Sequence, residues 1–320
     1  MATQAVLAGT PQHRTIDTAA ATRANVARRK RWDRVFEAVG LAATLVGVLV
    51  IGALLFKLCY DGAPRLSWEF FTSFPSRRAA QAGILSSWVG TLLVMFVTAI
   101  IGIPLGVAAA TYLEEYAPRN RITALIEINV TNLAGVPSIV YGLLALGLFV
   151  YALGFGRSVL SAGLTLALLI LPVIIVATRE AIRSVPHTVR EAAYACGASK
   201  WQVTADHVIP YSLPGIMTGI IIGLARAIGE TAPLITIGAL TFIAFLPTPP
   251  LSAEPPFVSF AWLFDGFTVL PIQMFNWVSR PGVGFQANAA AAGLVLLVVT
   301  LLMNAGAVYF RYRLRKRITW

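Results

Sequence analysis

The chain has 320 residues, of which 57% are hydrophobic and only 12% charged, with a formal net charge of +11. Ordinary soluble domains carry about twice that charged fraction, so the composition excludes one. The apolar residues gather in runs long enough to cross a bilayer, about 20 residues each. That pattern points to an all-α, polytopic membrane protein with six transmembrane helices, and not to a barrel of short alternating strands.

The six apolar runs lie at about 38–58, 85–112, 130–154, 159–177, 212–243 and 287–310. They divide the chain into a basic tail (1–37), a first transmembrane helix with an outer loop (38–84), a membrane core (85–310) and a second basic tail (311–320). The start, residues 1–27, is rich in Ala, Thr and Arg and reads as a mobile tail ahead of Arg28-Arg29-Lys30-Arg31. Lys and Arg collect at the two termini and in the short loops holding Arg119, Arg121, Arg179, Arg183, Arg190 and Lys200. The opposite side has only Arg65, Arg77, Arg78, Arg157 and Arg280. The positive-inside rule then puts both termini in the cytoplasm of a multi-pass inner-membrane protein. The charge sets topology, and this placement argues against nucleic-acid binding. Cys59 and Cys196 fall on opposite sides, so they form no disulfide.

After the first run, Trp68, Phe70, Phe71 and Phe74 read as residues of the membrane–water boundary. In the second run Pro104 sits between Gly102 and Gly106, a composition that suits a kink. The third carries Gly135-Val136-Pro137-Ser138 and Tyr141-Gly142, and the fourth carries Pro172.

A polar stretch from Glu191 to Pro210 separates the fourth and fifth runs. Glu191-Ala192-Ala193-Tyr194-Ala195 favours a short helix, and Gly197 can close it in the left-handed conformation. The small residues Ala192, Ala193 and Ala198 allow close backbone approach, and Pro210 suits the opening turn of the next helix. On physical grounds alone, an amphipathic connector and a surface gripped by another protein are both open readings. His187 and His207 flank the stretch and read as surface or contact residues.

The fifth run holds Arg226 and Glu230, charges that cost roughly 2.5–3.5 kcal/mol each on insertion scales. Four residues apart, they are expected to share a helix face and pair. One reading is an ion pair that fixes helix packing. The other is the lining of a polar pathway, with Thr231 beside it, in which the arginine's fork of donors suits an oxyanion. Glu230 would then hold Arg226 in place or turn away more highly charged species. Gly215, Gly219 and Gly223 form a small-residue seam for close helix packing.

The segment 244–286 reads as a long outer loop with seven prolines and many aromatics. It suits either an interfacial helix or the docking of an outer-side partner. The chain has no Gly-x4-Gly-Lys-[Ser/Thr], because none of its four lysines follows a glycine. It therefore carries no P-loop. No catalytic triplet or metal-ligand cluster is visible either, so the chain reads as non-catalytic and without a cofactor or metal of its own.

The polar stretch resembles the E-A-A-x3-G-x9-I-x-L-P loop of ABC-importer permeases. Glu191, Ala192, Ala193, Gly197 and Pro210 match, while Ile209 stands for the usual Leu and His207 for the usual Ile. The segment Arg226-Ala227-Ile228-Gly229-Glu230-Thr231-Ala232-Pro233 is similar to the phosphate-specific permeases, as are Phe267–Gln273 and Phe275-Asn276-Trp277. The resemblance covers about 85–310. It implies a type I ABC-importer permease core that forms half of a phosphate pathway. It also implies a second homologous permease, an ATP-binding subunit dimer gripping the Glu191–Gly197 helix, and an extracytoplasmic phosphate-binding protein. ATP would be bound by the partner. A permease for another oxyanion such as sulfate or molybdate is the alternative. A secondary transporter is a further one, but it calls for an inverted repeat that the sequence does not display.

Overall fold

The structure is a computed structural model and describes residues 11–239, 242–250 and 257–315. Packing divides the chain into two compact units, residues 1–57 and 58–320. The first unit is supplied by α1 (Pro11–Gly62), whose last turn belongs to the second. The helix already runs from Pro11, so the mobile tail expected over 1–27 is helical from that residue on, and residues 1–10 lie outside the described part. Large apolar side chains from Phe36 to Leu54 are exposed along α1, as suits a helix bathed in hydrocarbon.

In the second unit, α2 (Trp68–Thr72) leads to α3 (Leu85–Thr111), which continues as a π-helical turn, Tyr112–Tyr116. Asn120 caps α4 (Arg121–Leu133) by accepting the Thr123 N–H at 2.8 Å. After a break at Pro137 comes α5 (Ser138–Ala145), continued by a π-helical segment to Ala152. The two arms α4 and α5 bend by 108°. The third apolar run is therefore not one straight span over 130–154: the X-Pro step at 136–137 disfavours helix and breaks it. Among the described residues, five helices are long and apolar enough to cross a membrane, and this bent pair makes a sixth if it counts as one span.

The core helix is α6 (Val159–Arg183), opened by Ser158 as N-cap. Leu166, Leu169, Ile170, Ile174 and Ile182 are fully buried on it. It is flanked by α3 and by α9 (Ile209–Gly229). The approach to α3 is close because that helix offers glycines. A Cβ at Gly106 would lie 2.7 Å from Ile174 Cγ2, and one at Gly102 would lie 3.2 Å from Ile170 Cδ1. Between α6 and α9 run α7 (His187–Ala195) and α8 (Lys200–Gln202), the latter joined to α9 by a π-helical turn, Val203–Val208. Beyond α9 lie α10 (Ala232–Thr236), α11 (Leu270–Val278) and α12 (Val283–Arg315).

Two segments read as outer loops in the sequence depart from that reading. Phe70 is buried, its ring 6.1 Å from that of Trp277, and is a core residue and not a boundary anchor. The stretch 244–286 is not wholly loop, since α11 packs on α12 and buries Leu270, Ile272, Gln273 and Trp277. Pro271 opens α11, where its missing N–H costs nothing. Arg65, counted above only as an outer charge, donates to Asn288 Oδ1 at 2.7 Å and to the carbonyls of Ala79, Ala80 and Ala82. It ties the segment 79–82 to α12.

Candidate functional site

The glycine seam sets where α9 runs. A Cβ at Gly215 would lie 2.5 Å from Ala181 Cβ, and one at Gly219 would lie 2.5 Å from Ala177 Cβ. A Cβ at Gly223 would lie 3.3 Å from Ile174 Cγ1. Small residue meets small residue on two successive turns, so α9 and α6 approach backbone to backbone.

The helix ends at Gly229. Glu230 is extended (φ −83°, ψ 122°) and Thr231 leads into α10, with Pro233 in its opening turn. The fifth run therefore does not continue as one helix to 243, and Arg226 and Glu230 do not share a helix face. Among the described residues they form no ion pair, and neither side chain is held by a hydrogen bond. Arg226 is half-buried in the last turn of α9. There the negative end of the helix dipole favours a cation by about 0.3–1 kcal/mol. In the third span, the Tyr141 hydroxyl of α5 donates to the Leu133 carbonyl at 2.8 Å across the α4–α5 bend. The break after α9 leads into α10, which packs on α5 beside that bend. α10 seats on α5 at Gly142, where a Cβ would fall 2.6 Å from Pro233 Cα. A half-buried cation without a carboxylate partner, next to two interrupted helices, is suited to receive an anion.

The second part of the site is α7. Ala198 N–H bonds to Ala193 O at 3.1 Å and Gly197 N–H bonds to Tyr194 O at 2.9 Å. With Gly197 at φ +83°, this pair of bonds is the Schellman closure of a helix end. Glu191, Ala192, Tyr194, Ala195, Cys196 and Gly197 are exposed. Ala193 is not part of that surface: it is buried with Ile182, Val185, Val203 and Val208 and seats α7 on its own chain. The next helix opens with a capping box, Ser199 with Gln202. Trp201 is exposed, His207 partly buried, and Pro210 sits in the first turn of α9. The polar stretch between α7 and Pro210 is thus largely helical, an N-terminal extension of α9.

A cluster of charges, counted in the sequence only for topology, joins these elements. Arg179, 7% exposed, reaches Glu114 Oε2 at 3.3 Å; its Nη2 lies 2.8 Å from Glu127 Oε1, an ion-pair contact whose angle falls short of a hydrogen bond. Arg183 reaches Glu114 Oε1 at 2.9 Å, and Arg190 of α7 reaches Glu115 Oε1 at 2.7 Å. Cavities of about 410 and 310 Å³ flank the cluster and share Glu127 and Arg183 in their walls. The partners are separated by 65 and 75 residues along the chain, so no local spacing rule pairs them. Among the described residues no group of His, Cys, Asp and Glu is arranged to hold a metal ion.

Residues 102–319, more than half of the chain, match the family described as binding-protein-dependent transport system inner membrane component. Among curated relatives, the probable ABC transporter permease protein YqgI of Bacillus subtilis is 33% identical over 284 residues, 88% of this chain and 95% of that one. The phosphate transport system permease protein PstA of Xylella fastidiosa is 30% identical over 283 residues, 88% and 92% of the two chains. PstA 1 of Mycobacterium tuberculosis is 33% identical over 236 residues, 73% and 72%. Among solved structures, a bacterial alginate ABC transporter superposes with a TM-score of 0.61 at 14% identity, over 88% of this chain and 97% of that one. The MetNI methionine ABC transporter superposes at 0.50 with 18% identity, over 72% and 92%. These two share the type I importer fold. The chain belongs to the binding-protein-dependent transport system inner membrane components, the multi-pass permeases of ABC importers.

Proposed function

We propose that the chain is the membrane-spanning subunit of an ATP-driven importer of inorganic phosphate and forms half of its translocation pathway. The observation that carries the substrate is the identity, over most of the chain, with permeases named for phosphate transport. The geometry agrees with an oxyanion. Arg226 stands at the end of α9 without a carboxylate partner, and a guanidinium offers charge-assisted, forked hydrogen bonds to phosphate oxygens. Glu230 and Thr231 lie in the break that follows, where non-helical backbone at membrane depth belongs beside a cavity.

In this reading the exposed face of α7, from Glu191 to Gly197, docks into an ATP-binding subunit dimer on the cytoplasmic side, where both termini also lie. A second, homologous permease completes the pathway and an extracytoplasmic phosphate-binding protein delivers substrate. ATP is bound by the partner, since this chain has no P-loop. Closure of the ATP-binding subunits pushes α7. The α6–α9 seam moves as a unit, and the breaks at Pro137 and Glu230 open to one side or the other.

The test is uptake of radiolabelled phosphate into vesicles reconstituted with the purified complex. ATP-dependent uptake resisted by excess phosphate, and not by sulfate or molybdate, is the expected result. Equal competition by sulfate or molybdate would move the substrate to another oxyanion, and uptake without ATP would indicate a secondary transporter.

A further inference from the structure

We propose that Arg190 is a positioning residue that carries the movement of α7 to the cytoplasmic end of α3 through Glu115. The inference rests on the reading of α7 as the helix that docks the ATP-binding subunit.

Arg190 and Glu115 are largely enclosed, their side chains 14% and 10% exposed. Nη2 and Nε of Arg190 both reach Glu115 Oε1, at 2.7 and 3.1 Å. The remaining donors go to the end of α6: Nη1 to Val185 O at 2.8 Å and Nη2 to Ile182 O at 3.0 Å. Ile182 lies in the last turn of α6 and Val185 just beyond it, so this one guanidinium holds the end of α6 and grips α3 at once. The apolar contacts of α7 do not do the same. Ala193 and Val189 pack with Ile182, Val185, Val203 and Val208, residues of α6, its following turn and the extension of α9.

The receiving turn also has a wide backbone. Tyr112–Tyr116 is π-helical, a wide turn often found at functional sites. Its two neighbouring carboxylates are held by different elements. Glu114 is bonded by Arg179 and Arg183 of α6, and Glu115 by Arg190 of α7. Glu114 therefore registers α3 against the core helix, and Glu115 registers it against the docking helix. α3 runs from this turn to its far end, where Thr91 Oγ1 accepts the Leu270 N–H at 2.9 Å. A pull on Glu115 is thereby applied to a helix that reaches the outer elements.

The test uses the assembled complex in vesicles and reads phosphate imported per ATP hydrolysed. Glu115→Gln and Arg190→Gln are each expected to lower that ratio about tenfold, with hydrolysis and assembly retained. The double variant is expected to be no worse than the stronger single one, since both remove the same link. In a Cys59→Ser background, a photoactivatable maleimide on the exposed Cys196 reports docking through cross-linking to the ATP-binding subunit. Retained cross-linking with an unchanged ratio would overturn the role of the pair, as would independent, multiplying losses. A parallel fall in hydrolysis, uptake and assembly would assign the pair to structure alone and overturn it too. A probe that never reaches the ATP-binding subunit in the unaltered complex would overturn the docking reading, and this proposal with it.

Discussion

Gly142 of α5 lies against Pro233 of α10 so closely that a Cβ at 142 would fall 2.6 Å from the Pro233 Cα and overlap the Thr236 hydroxyl. The contact seats the short helix beyond the Arg226–Glu230 break on α5, the second arm of the bent third span. Gly142→Val forces α10 away and is expected to cost about 1–3 kcal/mol, the usual range for overpacking. Gly147, in the continuation of α5, meets nothing within 4 Å, so Gly147→Ala is expected to stay within about 0.5 kcal/mol. Unfolding of the two variants in detergent separates them. Equal stability would mean that α10 does not rest on Gly142.

Arg179 and Arg183 both bind Glu114, yet their replacements are expected to differ. Arg179 is 7% exposed, and its loss leaves Glu114 and Glu127 without their enclosed cation. Breaking such a pair costs roughly 3–5 kcal/mol. Arg183 is 47% exposed, where an ion pair contributes about 1 kcal/mol or less. Arg179→Ala should therefore fall well below Arg183→Ala in a denaturation series. Similar values for the two would show that burial does not rank them.

The closure of α7 depends on a conformation that only some residues accept. Gly197 has φ +83° and open space around a Cβ, so the cost of substitution is backbone strain and not collision. Gly197→Val costs about 1–2 kcal/mol at that conformation, whereas Asn adopts it readily. The expected outcome is that Gly197→Val uncouples ATP hydrolysis from uptake and Gly197→Asn stays near the unaltered protein. Identical coupling in both variants would remove the Schellman closure from the account.

Much of this fold is legible in the residues because its rules are local. Apolar run lengths give the long helices, Gly197 after an Ala-rich stretch gives the end of α7, and glycines four apart give the packing face of α9, though not the α6 partner it meets. The break after α9 is also written locally, as Gly229 followed by Pro233. It is masked by the i, i+4 spacing of Arg226 and Glu230, which argues for an unbroken helix. Other features depend on partners far apart in sequence. Glu114, Glu115 and Glu127 find Arg179, Arg183 and Arg190 only once α3, α4, α6 and α7 are packed. In isolation those arginines read as topology signals. Phe70 and Trp277 are a similar case: Phe70 alone reads as an interfacial aromatic and Trp277 as one of the aromatics of a long loop, and together they form a core contact.

The most direct measurement of the central claim is ATP-dependent phosphate uptake by complexes carrying Arg226→Gln. Arg226 makes no ion pair among the described residues, so its replacement leaves no carboxylate stranded, and the complex should assemble normally. The account predicts that assembled Arg226→Gln complexes lose phosphate uptake while the unaltered complex transports. Uptake at the unaltered rate by the Arg226→Gln complex would contradict the placement of Arg226 in the phosphate pathway.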